Sequence, residues 1–134
     1  MKRIKNELLI NIIRPVYIKN FRYNVHYNEN DWGHSIWIMG HDGISFCRVY
    51  WYSDDETTVY LDSLSVTPSE RKKGIGTELQ EIREEIGITI GAKYSCLSSK
   101  KDTWQHEWYK RRGYIDFQNR DDVPNTVWMK KELI

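Results

Sequence analysis

The chain is organised around Leu64-Ser65-Val66-Thr67-Pro68-Ser69-Glu70-Arg71-Lys72-Lys73-Gly74-Ile75-Gly76-Thr77-Glu78-Leu79. Before it, Thr58 to Val66 is rich in β-branched and aromatic residues and reads as a strand, which Pro68 ends because proline has no N–H for a ladder. After it, Ile75, Leu79, Ile82 and Ile86 recur at helical spacing, with Glu81, Glu84 and Glu85 left for solvent. Strand, turn and helix follow in one unit. Glycines where a helix begins let a ligand approach the backbone closely, and the first turn's unpaired N–H groups lie at the positive end of the dipole. Three adjacent cations, Arg71, Lys72 and Lys73, raise the potential further, so the junction is an anion seat suited to a phosphate. It matches neither the Walker phosphate loop, which needs Gly-Lys-Ser/Thr, nor the three-glycine dinucleotide fingerprint.

A second cluster, Trp108-Tyr109-Lys110-Arg111-Arg112-Gly113-Tyr114, follows about thirty residues later. Together the two carry a resemblance. The order Val66, Pro68, Arg71, Gly74, Gly76, Leu79 resembles the acyl-CoA signature of the GNAT superfamily of N-acetyltransferases, and the aromatic-Tyr-x-x-x-Gly-aromatic run is similar to that family's second signature. The resemblance covers roughly Thr58 to Leu133. It implies an α+β fold: a mixed, mostly antiparallel sheet of about six to seven strands with two to three helices. Two parallel strands of that sheet part to admit acetyl-CoA as cosubstrate.

Composition agrees with one domain. At 134 residues the chain is long enough for one core and too short for two, and 40% hydrophobic with 29% charged residues describes an ordinary globule. The formal net charge of +1 gives no global attraction for nucleic acid. Two cysteines, Cys47 and Cys96, are too few for a disulfide framework or a zinc site, and both sit in apolar runs. No metal and no membrane span is expected, and the absence of a leader pattern makes the cytoplasm the default location. A monomer or a homodimer fits equally.

In chain order, Ile4, Leu8, Leu9, Ile12 and Ile13 suggest an amphipathic helix ended by Arg14-Pro15, with a strand over Leu8 to Ile13 as the competing reading. Phe21 to Tyr27 alternates as a strand, and Asn28 to Asp31 with Gly33 reads as a loop. Ser35 to Met39 and Ile44 to Tyr52 flank an Asp-Gly hairpin signal. The front half is therefore an antiparallel meander ending in the strand at Val66. A helix from about Gly74 to Ile90, stopped by Gly91, separates that strand from Ala92 to Leu97, which must run parallel to it. Thr103 to Arg112 forms a short helix, and Tyr114 to Phe117 and Thr126 to Leu133 form the last strands. Asn28 to His34 is too short for the two helices that family members usually place there, which puts the acceptor side in question.

By resemblance, Arg71, Lys72, Lys73, Gly74, Ile75, Gly76 and Thr77 hold the CoA pyrophosphate, and the strand edge at Leu64 to Val66 pairs with pantetheine. Tyr109 matches the general acid that reprotonates the thiolate. Asp102 stands where the family often has an asparagine touching pantetheine, although Asp102 and Gln105 also make an Asp-x-x-Gln capping box. For a general base, Asp62 is the choice: four residues before Val66, it shares that residue's face if the strand is regular, and a bulge would reverse the argument. His26, His34, His41 and His106 are scattered and read as surface or hydrogen-bonded residues. Trp32, Trp37, Trp51 and Tyr52 concentrate aromatics in the front half. The expected function is acetyl transfer to a primary amine of a small molecule or peptide by direct attack in a ternary complex. The alternatives are a non-catalytic acyl-CoA-binding module and, against the charge balance, a nucleic-acid-binding domain.

Overall fold

The computed structural model describes residues 16–18, 21–40, 45–55, 57–65 and 74–133. The helix or strand expected over Ile4 to Ile13 lies outside them, as do Val66, Arg71, Lys72 and Lys73. Strands β1 (Val16–Ile18), β2 (Phe21–Asn30), β3 (Gly33–Gly40), β4 (Phe46–Tyr52) and β5 (Thr58–Ser65) precede helix α1 (Ile75–Ile90). Strand β6 (Tyr94–Lys100), helix α2 (Trp104–Arg111), β7 (Ile115–Asn119) and β8 (Thr126–Glu132) follow. These eight strands form one sheet in the order β1-β2-β3-β4-β5-β6-β8-β7. Every pairing is antiparallel except β5 with β6. The meander, the parallel pair and the two helices stand as the sequence indicated; β1 is an additional edge strand.

The loop expected from Asn28 to Asp31 is mostly strand. Strands β2 and β3 stay in register through Asn30↔Gly33, leaving only Asp31 and Trp32 in the turn. The Asn30 side-chain carbonyl closes it, accepting the N–H of Trp32 at 3.1 Å and of Gly33 at 2.9 Å. Gly33 is required there for space, since a Cβ would lie 2.6 Å from the Trp51 carbonyl oxygen.

Strand alternation sorts the sheet into two different faces. Cys47, Val49 and Trp51 of β4 and Val59 and Leu61 of β5 are buried, with Ile36 and Ile38 of β3 beside them. This apolar face takes α1, whose Ile75, Leu79 and Ile86 complete the core. Gly87 allows the close approach, because a Cβ would sit 3.0 Å from Val59 Cγ2 and 2.7 Å from Leu133 Cδ1. Helix α2 lies against the same side, its Tyr109 touching Arg83 of α1 and the ring of Tyr114. On the opposite face Arg48, Tyr50, Tyr52, Tyr60 and Asp62 are half-buried. No described helix is long and apolar enough to cross a membrane.

Candidate active site

The site is built where the parallel pair comes apart. Strands β5 and β6 share only Thr58↔Tyr94, Val59↔Ser95 and Tyr60↔Cys96. Beyond them β5 continues against β4 as far as Phe46↔Ser65, while β6 continues against β8 as far as Lys100↔Thr126. Each strand therefore turns an unladdered edge toward the other. Such an edge offers N–H and C=O groups to an extended ligand with amide units of its own. Leu64 lies on the β5 side of this opening, half-buried against the core.

A bulge shapes the mouth. Asp62 pairs with Arg48 and Ser65 with Phe46, so Ser63 and Leu64 together face Cys47, and Ser63 takes φ 57°. The extra residue shifts the strand's alternation, which is the circumstance that reverses the facing argument for Asp62. Asp62 itself lies on the aromatic face. Its carboxylate receives Arg48 Nε at 2.8 Å and the second guanidinium nitrogen at 2.5 Å. That guanidinium also covers the Tyr50 ring at 4.6 Å and the Trp37 ring at 5.3 Å. Tyr60 stacks on Tyr50 at 5.3 Å and meets Trp128 edge-on at 6.4 Å. Burial pushes the Tyr50 phenol up to about 12, so it stays a neutral donor at physiological pH.

Beside this cluster, Arg48 and Tyr50 with Trp32, Tyr52, Asn30, Gly33, His34 and Trp51 surround a cavity of about 180 Å³. His34 is buried, stacks on Trp51 at 5.0 Å and hydrogen-bonds Tyr27 through Nδ1, while Nε2 has no partner among the described residues. Burial lowers its pKa, with Glu29 opposing, and favours the neutral ring. The aromatics singled out in the sequence differ in exposure: Tyr52 and Trp32 stack at 6.0 Å on the cavity wall, whereas Trp51, which also borders the cavity, is buried in the core.

On the helix side, Gly74 precedes α1 with φ 82°, and among the described residues no side chain caps the helix. The first intrahelical bond from this end is Glu78 N–H to the Gly74 carbonyl at 3.0 Å. The amides of Ile75, Gly76 and Thr77 consequently open along the helix axis, the arrangement anions favour. Arg112 is a cation that the sequence reading assigned only to the end of α2. Its guanidinium lies 3.5 Å from the Trp108 ring centroid and donates to Thr77 Oγ1 at 3.1 Å. A positive charge thereby reaches the first turn of α1 from the second signature; only the fold reveals that contact.

Tyr109 is 3% exposed, edge-on to Trp108 at 5.0 Å and to Tyr114 at 5.6 Å. Its phenol oxygen accepts a hydrogen bond from Arg83 at 3.2 Å. Arg83 is a second functional candidate the sequence did not single out, since its position on α1 reads as one more polar residue. The Asp102 capping box does not form: Thr103 is the N-cap, its Oγ1 accepting the His106 N–H at 3.2 Å. Asp102 is exposed at φ 60° and donates its own N–H to His106 Nδ1 at 3.1 Å. With Nδ1 an acceptor, His106 Nε2 carries the proton it gives to Asp116 at 2.8 Å. His106 thus ties the start of α2 to β7, and His34 is stacked and hydrogen-bonded, so both are hydrogen-bonded residues as the sequence suggests.

Comparison with known proteins agrees with this geometry. Among curated proteins, S-(2-succino)cysteine N-acetyltransferase of Bacillus subtilis is 36% identical over 74 residues, which are 52% of this chain and 45% of that protein. The chain thus matches a little under half of that relative's length. A GNAT family acetyltransferase from Elizabethkingia anophelis, solved with acetyl-CoA bound, superposes with a TM-score of 0.62 at 12% identity, covering 82% of this chain and 97% of the other. Escherichia coli ElaA gives 0.61 at 17% identity, covering 73% and 68%. The acetyltransferase (GNAT) domain family matches residues 32–116, which run from β3 to the start of β7 with the parted strands, α1 and the Tyr109 helix, and the chain belongs to that family.

Proposed function

We propose that the protein transfers an acetyl group from acetyl-CoA to a primary amine of a small molecule or peptide, by direct attack in a ternary complex. The observation that carries this reading is the parting of β5 and β6 after Tyr60↔Cys96, with the start of α1, uncapped among the described residues, at one side and Tyr109 on the helix face. In this reading the amides of Gly74 to Thr77, with Arg112 and the basic run Arg71 to Lys73, hold the pyrophosphate. The edge of β5 at Leu64, with Val66 next but one in the sequence, pairs with pantetheine and brings the thioester to the mouth, and Asp102 borders the same channel from the end of β6.

The acceptor approaches from the aromatic face, where Asp62 stands at the bulge. Arg48 occupies one lone pair on each Asp62 oxygen and leaves another on each. Asp62 then orients the amine and takes its proton as nitrogen bonds to the thioester carbon. The C–S bond breaks, Tyr109 gives its phenolic proton to the departing thiolate, and solvent restores the phenol. The cavity of Trp32, Tyr50 and Tyr52 gives an amine-bearing ligand an aromatic wall, and an S-substituted cysteine is one acceptor to include because the Bacillus subtilis relative is named for one.

The test combines the full chain, acetyl-CoA, a thiol reagent and a panel of amines: amino acids including S-(2-succino)cysteine, polyamines, aminoglycosides and peptides with free N-termini. Thiol release with one or more acceptors is expected, and Tyr109→Phe should lower turnover about 100-fold while CoA affinity stays within twofold. CoA binding without thiol release across the panel would instead favour a non-catalytic acyl-CoA-binding module.

A further inference from the structure

Arg83 is the largest fully buried side chain in the described structure, at 1% exposure. Burying a guanidinium is costly unless an anion meets it, because desolvation of the charge is otherwise uncompensated. Among the described residues no carboxylate does. Its contacts are the Asp62 main-chain carbonyl at 3.3 Å, the Gln80 side-chain carbonyl, and the Tyr109 phenol at 3.2 Å; Nε has no partner. All three acceptors are neutral. The acidic side chain nearest in sequence, Glu84, is engaged by Lys131 at 2.7 Å and by Gln80 and Tyr114.

The direction of the Tyr109 contact is fixed by chemistry. Arginine can only donate, so the phenol oxygen is the acceptor and its proton points to some other partner. That is the arrangement a proton donor needs. The guanidinium is held rigidly for it: Gln80 Nε2 donates to Tyr114 Oη at 2.9 Å and Glu84 at 2.9 Å, which turns the Gln80 oxygen onto Arg83. Tyr114 Oη in turn bonds Ser95 at 2.7 Å, anchoring the network to β6. Arg83 also reaches the Asp62 carbonyl at the start of the bulge, so one side chain ties the phenol to the mouth of the opening.

We infer that Arg83 is a positioning residue for acetyl transfer: it holds the Tyr109 oxygen as an acceptor, leaves its proton for the departing thiolate, and stabilises the phenolate that remains. This rests on the reading of Tyr109 as the general acid. The buried charge, which meets no carboxylate among the described residues, gains an anion transiently, when the proton moves from oxygen to sulfur and before solvent returns it.

The experiment uses the full chain, acetyl-CoA and whichever amine of the panel gives the fastest thiol release. Arg83→Met should lower kcat about 100-fold with the KM for acetyl-CoA unchanged within twofold, and Arg83→Lys, which restores charge without the fork, should recover about tenfold of the loss. The double variant Arg83→Met/Tyr109→Phe should be no slower than Tyr109→Phe alone, since the two side chains act as a unit. Cooperative melting and calorimetric CoA affinity check that each variant is folded. Should Arg83→Met not fold, Arg83→Lys compared in wild-type and Tyr109→Phe backgrounds provides the same cycle. Losses that multiply, or Arg83 variants with wild-type kcat, overturn the inference while leaving the enzyme intact. A wild-type chain that binds CoA and releases no thiol with any amine overturns the enzyme reading and this inference with it.

Discussion

Asp62 is held at both oxygens by Arg48, at 2.8 and 2.5 Å, at the last strand pair before the bulge in β5. The pair is about one-third exposed, so its contribution to stability is small, about 0–1 kcal/mol. Its value lies in position. Asp62→Asn keeps the shape and removes the charge; it should lower kcat/KM for the acceptor about 100-fold and leave the calorimetric affinity for CoA within twofold. An Asp62→Asn enzyme turning over within threefold of wild type would remove Asp62 from the reaction.

Arg112 links the two signatures by resting on Trp108 and bonding Thr77 in the first turn of α1. Burial lowers its pKa, with Arg111 acting the same way, but an arginine remains charged at any physiological pH. Arg112→Ala should weaken CoA binding about tenfold, the scale of one charge-assisted phosphate contact, and should flatten the salt dependence of that binding. Equal loss of affinity for CoA and for dephosphorylated pantetheine would show that Arg112 does not act on the phosphates.

Much of this arrangement is legible in the chain because each part is local. The β-branched run up to Ser65, the glycines at the start of the Ile75–Leu79–Ile86 stripe and Gly91 mark strand and helix without tertiary information, and a helix between two strands makes them parallel. The Asn28 to Gly33 turn is tighter than its polar composition suggests because Asn30 satisfies the turn amides itself. Arg83, Arg112 and Arg48 escape the sequence reading for another reason. Each is one arginine among many, and its significance comes from partners 35 or fewer residues away that only the fold brings near: Tyr109, Thr77 and Asp62. The Asp102 cap fails because Thr103 offers the helix a competing oxygen one residue later.

Gly33 faces the Trp51 carbonyl oxygen across the β3–β4 ladder, 2.6 Å from where a Cβ would be. The obstruction is backbone within a continuous sheet, so it cannot swing aside. Gly33→Ala should cost about 1–3 kcal/mol, seen as a lower denaturant midpoint with an unchanged slope. Because Gly33 also lines the cavity, acceptor KM should rise in the same variant while acetyl-CoA KM does not. Unchanged stability would mean that β3 and β4 part at Gly33 and Trp51 far enough to admit a methyl group.

Cys47 and Cys96 are both buried, and burial pushes their thiols up from 9.0 to about 12 and about 11. At pH 8 neither is a thiolate in the native protein, so neither should react with a disulfide reagent until denaturant is added, when two thiols should titrate. Native thiol signal in the transferase assay then belongs to CoA alone. The same shifts set a stability limit at high pH. A raised thiol pKa favours the folded state fully below the unfolded value of 9.0, and this contribution declines as the unfolded chain ionises above it, until the folded thiols titrate near 11 and 12. Unfolding free energy should therefore fall between about pH 9 and pH 11, by a few kcal/mol in order of magnitude. Cys47→Ala should flatten that fall because the more strongly shifted thiol is gone. Equal pH slopes in the two proteins, or rapid labelling of the native chain at pH 8, would show that Cys47 is accessible to water and that the sheet face under α1 opens.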